Sequence, residues 1–130
     1  MGGRNLVIPV PANEARYWKR ELAWNFERFC ADGSIDPDEL WDDIENMRRQ
    51  LWVVKGKAAV LTTVRPDKLK TCVVTHAAGR DMRGWVHLWE YLENWAREIG
   101  CERIEAVARP GWERVLKDMR KTHVILEKRL

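Results

Sequence analysis

The spacing of apolar residues changes along the chain, and this spacing predicts the secondary structure. A short apolar run at residues 5–10 contains Pro9 and precedes Pro11, which predicts a first strand at the edge of a sheet. Residues 12–30 then follow helical spacing. The apolar stripe of this predicted helix contains Ala15, Trp18, Leu22, Phe26 and Phe29.

A second helix is predicted from Asp36 to about Gln50. Asp36 suits the N-cap position, Pro37 the first helical position and Glu39 the third position of a capping box. The predicted buried face of this helix is made of Leu40, Ile44, Met47 and Leu51.

Three consecutive strands are predicted next, because β-branched and apolar residues replace the helical spacing. They cover residues 51–55, 58–65 and 70–76. Tight turns at residues 55–57 and at Pro66 and Asp67 make them an antiparallel meander. Side chains alternate between the two faces of a strand, so we expect Val73 and Val74 on opposite faces, each covered by helices.

The last third of the chain predicts a long helix, a strand, a short helix and a final strand. Asp81 suits the N-cap of the long helix, which continues to Ile99, and Gly100 suits its left-handed end. The predicted buried stripe contains Met82, Trp85, Trp89, Leu92, Ala96 and Ile99. The later elements are a strand at 101–109, a short helix from Pro110 and a strand at 123–128. The complete order is β-α-α-β-β-β-α-β-α-β.

The composition and length of the chain indicate that residues 1–130 form a single α+β domain. The chain is 45% hydrophobic and 33% charged, which suits one buried core, and no apolar stretch approaches the ~20 residues that span a bilayer. The apolar run near the N-terminus is too short for a signal peptide, so a cytosolic setting is expected. The net charge of +3 is spread among acidic residues, which argues against nucleic acid as a partner. Eight tryptophans fall on the predicted elements rather than in loops, so most are expected in the core, and any surplus would mark a protein contact surface.

No metal site is predicted. Cys30, Cys72 and Cys101 are odd in number and widely spaced, as buried thiols are. The acidic segment from Asp32 to Glu39 matches half of a calcium loop, but the remaining ligand positions hold Arg28 and Cys30. A turn followed by a capped helix explains the same residues.

The order of elements resembles the GNAT (N-acetyltransferase-like) superfamily over essentially the whole chain. The segments at residues 79–85, with the letters GRDMRGW, and 108–112, with the letters ARPGW, are similar to small GNAT-like proteins encoded among the structural genes of tailed bacteriophages. The resemblance implies a central, mostly antiparallel mixed sheet with helices on both faces. Fold alone does not establish function, so the site residues must be considered separately.

The resemblance also implies where acetyl-CoA binds. In GNAT enzymes the pyrophosphate lies on the N-H groups at the start of the long helix, in a loop with the pattern Q/R-x-x-G-x-G/A. The matching residues here include Arg80, Arg83, Gly84 and Trp85. Arg83 and Trp85 replace two small residues of the pattern, which hinders close approach of the backbone, while the two arginines could bind phosphate.

The catalytic positions of the family are incompletely matched. GNAT enzymes commonly use a base on the middle strands and a tyrosine in the short helix, but residues 110–122 contain no tyrosine. His76 is the candidate base, although a lone histidine at a strand end is more often structural. Cys72 is a weaker candidate as nucleophile, because no base is adjacent in sequence.

Two functions are therefore considered. The first is a non-catalytic GNAT-fold phage protein that serves as a virion or assembly module, with other proteins as partners, in the bacterial cytoplasm and in the virion. The missing tyrosine, the altered loop and the tryptophan excess favour it. The alternative is an acetyl-CoA-dependent N-acetyltransferase with an atypical site, favoured by the element order and the two arginines.

Overall fold

A five-stranded sheet forms the centre of the computed structural model, which describes residues 7–54, 58–80, 85–108, 118–122 and 126–130. The strands are β1 (Val7–Val10), β2 (Gln50–Val54), β3 (Ala58–Pro66), β4 (Lys70–Gly79) and β5 (Arg103–Ala106). They are arranged in chain order, with three antiparallel pairs followed by the parallel pair of β4 and β5. The predicted meander and mixed sheet are confirmed.

Helices cover both faces of the sheet, as the resemblance implied. A 3-10 helix (Ala12–Trp18), α1 (Ala23–Phe29) and α2 (Pro37–Glu45) pack on one face, and α3 (Trp85–Glu98) packs on the other. Side chains of β2 alternate between the two faces and therefore contribute to both cores. Leu51 and Val53 pack in the core beneath α1 and α2, and Trp52 and Val54 pack in the core beneath α3. Val74 contacts the α3 core, and its neighbour Val73 belongs to the opposite face, as expected.

The predicted first helix is divided in the structure. Residues 19–22 form turns between the 3-10 helix and α1, although the apolar stripe remains largely inside, with Ala15, Leu22 and Phe26 buried. Spacing alone missed this break because both segments direct apolar side chains to the same core.

The second helix begins as predicted but ends early. The Asp36 carboxylate accepts a hydrogen bond from the Asp38 N-H at 2.8 Å, which confirms the N-cap. The helix ends at Glu45, and Met47 has a left-handed φ of 59° and is 83% exposed, so its predicted burial is wrong. Leu51 is buried, but it belongs to β2. The left-handed residue turns the chain away from the helix axis and into the sheet.

The long helix α3 ends before Gly100, whose φ of +87° confirms the predicted left-handed stop. Its fully buried positions are Leu88, Leu92 and Ala96, at intervals of four residues, whereas Trp89 is only partly buried. Of the predicted stripe, Leu92 and Ala96 are buried and Trp89 and Ile99 are partly buried against the core, whereas the buried Leu88 was not predicted. Met82 and the Trp85 side chain lie outside the described residues.

The C-terminal part of the chain matches the prediction less well. β5 is shorter than the predicted strand at 101–109, and residues 126–128 of the predicted final strand have no regular secondary structure. The predicted short helix from Pro110 and residues 123–125 lie outside the described part of the chain.

Candidate active site at the end of strand β4

Strand β4 continues beyond the point where β5 stops pairing with it. The parallel register joins Thr71 to Arg103 and ends at Val74 with Ala106, followed by a hydrogen bond of 3.1 Å from the Val107 N-H to the Val74 carbonyl. β4 then runs on to Gly79, paired only with β3 among the described residues. On this edge no described strand pairs with residues 75–79, although the Ala78 carbonyl accepts a hydrogen bond from Asn25, so the remaining outward peptide groups could pair with an extended ligand.

The part of β4 that extends beyond β5 begins at a β-bulge. Leu61 of β3 pairs with His76 of β4, but the next residue, Thr62, pairs with Val74, so Thr75 is the extra residue. The Thr75 hydroxyl donates to the Leu61 carbonyl at 3.3 Å and accepts from the Arg49 guanidinium at 2.8 Å. A bulge bends its strand and redirects the side chains beside it, which is why bulges recur at functional sites.

His76, the candidate base, lies directly after this bulge and on the face covered by α1. Its ring centroid is 5.5 Å from that of Phe29, and its Nδ1 is 3.0 Å from the Thr75 hydroxyl. Burial lowers the pKa of His76 from its ordinary value, and the charge of Arg49 lowers it further, against a smaller opposing effect of Asp32. The imidazole is therefore neutral at neutral pH.

The hydroxyl of Thr75 decides which ring nitrogen of His76 is basic. A hydroxyl has one proton, and when this proton goes to the Leu61 carbonyl, Nδ1 of His76 must donate to Thr75. Nε2 then carries the lone pair. An ion pair of 2.9 Å with Asp43 holds the Arg49 guanidinium in this network. Hydrogen bonds from Arg48 and Arg49 hold the pKa of Asp43 below its ordinary value.

Helix α1 lies against the last residues of β4. The Asn25 side chain is buried and donates from Nδ2 to the Ala78 carbonyl at 2.8 Å. One turn further along, Phe29 contacts His76. The helix therefore supports the residues that follow the bulge.

The predicted cofactor residues are only partly described. The Arg80 guanidinium lies 4.5 Å from the centroid of the Trp24 ring, on the side of α1. Trp85 is the first residue of α3, but its side chain, like Arg83 and Gly84, lies outside the described residues. The grouping of these four residues around a pyrophosphate stays a prediction.

The weaker catalytic candidate, Cys72, is fully buried, and burial raises the pKa of its thiol to about 12, with a further contribution from Cys101. It is a protonated core residue and no nucleophile. Sequence reasoning missed Asn25 and Arg49, which act through contacts across the fold, and gave no role to Trp24. Arg28 follows Trp24 by four residues on a helix, so that pair could have been recognised from spacing.

An open cavity of about 740 Å³ lies beyond Arg49, bordered by Gln50 at the start of β2 and by Thr62 and Thr63 of β3. His76 does not line it. Within the described residues, no three His, Cys, Asp or Glu side chains are grouped to hold a metal ion. No helix there is long and apolar enough to cross a membrane.

Neither a family model nor a curated protein matches the sequence. Solved structures do match. The chain is similar to a predicted acetyltransferase with acetyl-CoA from Clostridium acetobutylicum, at a TM-score of 0.68 and 16% identity over 95% of both chains. It is also similar to a ribosomal-protein-alanine N-acetyltransferase from Brucella melitensis, at a TM-score of 0.66 and 16% identity over 96% of this chain and 98% of that one.

A third similar structure is an aminoglycoside 6'-N-acetyltransferase from Acinetobacter haemolyticus, at a TM-score of 0.60 and 10% identity, over 96% of this chain and 98% of that one. These likenesses span nearly the whole length of each protein, but at such low identity they concern the fold alone. They contain no sign of the predicted phage subgroup. With the sheet order and the parallel β4 and β5 pair described above, they show that the chain has the fold of the GNAT acetyltransferases.

Proposed function

We propose that this protein is an acetyl-CoA-dependent N-acetyltransferase in which His76 is the general base. The observation that carries the proposal is the position of the His76 imidazole, directly after the β4 bulge and beside an edge of residues 75–79 that pairs with no strand among the described residues; burial lowers the pKa of this imidazole. A base that is neutral at the working pH can accept the proton that an amine loses on acylation.

The open edge of β4 also fits the cofactor. Its peptide groups can bind the amide-containing arm of acetyl-CoA in the manner of an added strand, and the start of α3 offers unpaired N-H groups for phosphate. Arg83, Gly84 and Trp85 are the residues that we assign to the pyrophosphate. When bound, acetyl-CoA supplies a thioester that is activated towards amines.

We assign the following roles to residues of this chain. Thr75 and Arg49 orient the imidazole, and Nε2 of His76 accepts the amine proton. Phe29 excludes water from one side of the ring. No tyrosine is available at residues 110–122 to protonate the departing thiolate, so we assign that step to solvent.

Calorimetric titration with acetyl-CoA tests the cofactor, and release of free thiol in the presence of free amino acids, polyamines and peptides tests the transfer. We expect His76→Gln to lower kcat by about 10²- to 10⁴-fold, as loss of a general base does, with an unchanged Kd for acetyl-CoA. His87→Gln is the matched control, because His87 is exposed on α3.

The absence of acetyl-CoA binding at millimolar ligand would refute the proposal. That result would favour the non-catalytic assembly module, which no similar structure reported above supports and which stays a hypothesis. Binding with transfer that His76→Gln leaves unchanged would refute the role of His76 alone.

A further inference from the structure

Trp24 of α1 holds two guanidinium groups. The central carbon of Arg28 lies 4.9 Å from the centroid of the Trp24 ring, and that of Arg80 lies 4.5 Å from it. Both arginines are exposed, whereas Trp24 is partly buried. Two positive charges thus contact one aromatic ring of α1, near the end of strand β4.

Neither of these arginines forms an ion pair with a carboxylate in the described residues. Other arginines of the chain do so, at distances of 2.6 to 3.5 Å. They are Arg48 with Asp42, Arg49 with Asp43, Arg65 with Glu105 and Arg103 with Asp67. Among the described residues, Arg28 and Arg80 are therefore two cations at one ring that have no carboxylate as an ion-pair partner.

Such an arrangement suits an anion. Two guanidinium groups that lie within 5 Å of the same ring centroid repel each other, and an anion that binds to both would relieve that repulsion. Guanidinium is planar and donates two parallel hydrogen bonds to such groups, which a solvated lysine does not. The indole ring limits where the two donors can point.

Arg28 and Arg80 lie along the same contact between α1 and β4 as the proposed base, His76. Alternate residues 76, 78 and 80 each contact α1, through Phe29, Asn25 and Trp24 in turn. The helix therefore runs antiparallel to β4, and the arginines lie at the far end of that contact from His76. At about 3.3 Å per strand residue, His76 and Gly79 are roughly 10 Å apart along β4.

We propose that the acceptor amine carries an anionic group, a carboxylate or a phosphate, which Arg28 and Arg80 bind at Trp24 while the amine reaches His76. This inference rests on the proposed function, whose substrate class it defines. It assigns Arg80 to the acceptor, in place of the cofactor role predicted from the sequence. Arg28 becomes a specificity residue.

The test uses three tetrapeptides with a free N-terminus and a blocked C-terminus, Ser-Ala-X-Ala, in which X is glutamate, glutamine or phosphoserine. We expect the KM of the parent protein for one or both anionic peptides to be about tenfold lower than for the glutamine peptide, since a charge-assisted contact of this kind contributes about that factor. The comparison of glutamate with phosphoserine identifies the anion. The preference should weaken as salt is added.

Arg28→Ala should remove the preference by raising the KM for the anionic peptides about tenfold, with little change in KM for the glutamine peptide. It should also leave the Kd for acetyl-CoA unchanged. Arg20→Ala is the matched control, because Arg20 is exposed four residues before Trp24. The substitution removes the same charge from a side chain that does not contact the Trp24 ring. This control should keep the preference.

The outcomes separate this inference from the proposed function. Transfer without any preference for anionic peptides, or an Arg28→Ala variant that retains the preference, would overturn the inference alone. An Arg28→Ala variant that binds acetyl-CoA more weakly would reassign the pair to the cofactor and overturn it as well. Failure of the parent to bind acetyl-CoA would overturn the proposed function and the acceptor role, while calorimetric titration of the anionic peptides would still show whether Arg28 binds an anion.

Discussion

The hydrogen bond between Asn25 and strand β4 gives a direct measure of how α1 supports the candidate site. Asn25 is a polar residue that exposes only 8% of its surface, and its Nδ2 donates to the Ala78 carbonyl at 2.8 Å. Asn25→Ala removes the donor of this partly buried hydrogen bond. The variant therefore tests whether the bond is needed because solvent cannot replace it.

The expected cost follows from burial. Loss of a partly buried hydrogen bond that leaves its acceptor without a partner costs about 1–3 kcal/mol, a substantial share of the roughly 5–15 kcal/mol that stabilise a domain. For a protein of this length, each kcal/mol lowers the Tm by roughly 3–6 °C. The side chain itself is small, so a cavity adds little.

Asn46→Ala is the control, because Asn46 also donates from Nδ2 to a backbone carbonyl, that of Asp42, at 2.8 Å. This bond is exposed, so water can replace it, and the expected cost is below about 1 kcal/mol. Urea denaturation with a shared m-value gives both free energies of unfolding. Equal costs for the two variants would refute the argument that burial of the Asn25 bond determines its value.

Two further predictions concern the helix α3 and the candidate base. Leu88→Ala should lower the free energy of unfolding by about 2–5 kcal/mol. This cost should exceed that of Trp89→Ala, because Leu88 is buried while Trp89 keeps solvent contact. Thermal melts in which Trp89→Ala lowers the Tm more than Leu88→Ala would show that the sequence-based stripe was correct. The native pKa of His76 lies below its ordinary value of about 6.5, so the native state binds fewer protons and stability falls as the pH drops from about 6.5 through that lower pKa. His76→Gln should remove this part of the slope in denaturation curves between pH 7 and 4, and a slope identical to that of the parent would mean that His76 titrates normally in the fold.

Local signals in the sequence located much of the fold. Asp36 and Gly100 mark helix boundaries by capping and by a left-handed φ, which depend on a few adjacent residues. The β4 strand was identified from its own apolar residues, although it extends three positions further than predicted. On α3 the burial of Leu92 and Ala96 was predicted correctly but that of Leu88 was missed, because Leu88 and Trp89 are both apolar and only the shape of the sheet surface decides which of them is more deeply buried.

The sequence by itself determined the order of the elements through β5 and the alternation of their faces, because spacing and turn chemistry are properties of neighbouring residues. It also indicated His76 as a candidate base, a role that stays a proposal. Only the tertiary structure decided that Thr75 forms a bulge, that Asn25 reaches Ala78 and that Arg80 meets Arg28 at Trp24. Each of these contacts joins segments far apart in the chain, and their register depends on how the whole sheet and its covering helices pack.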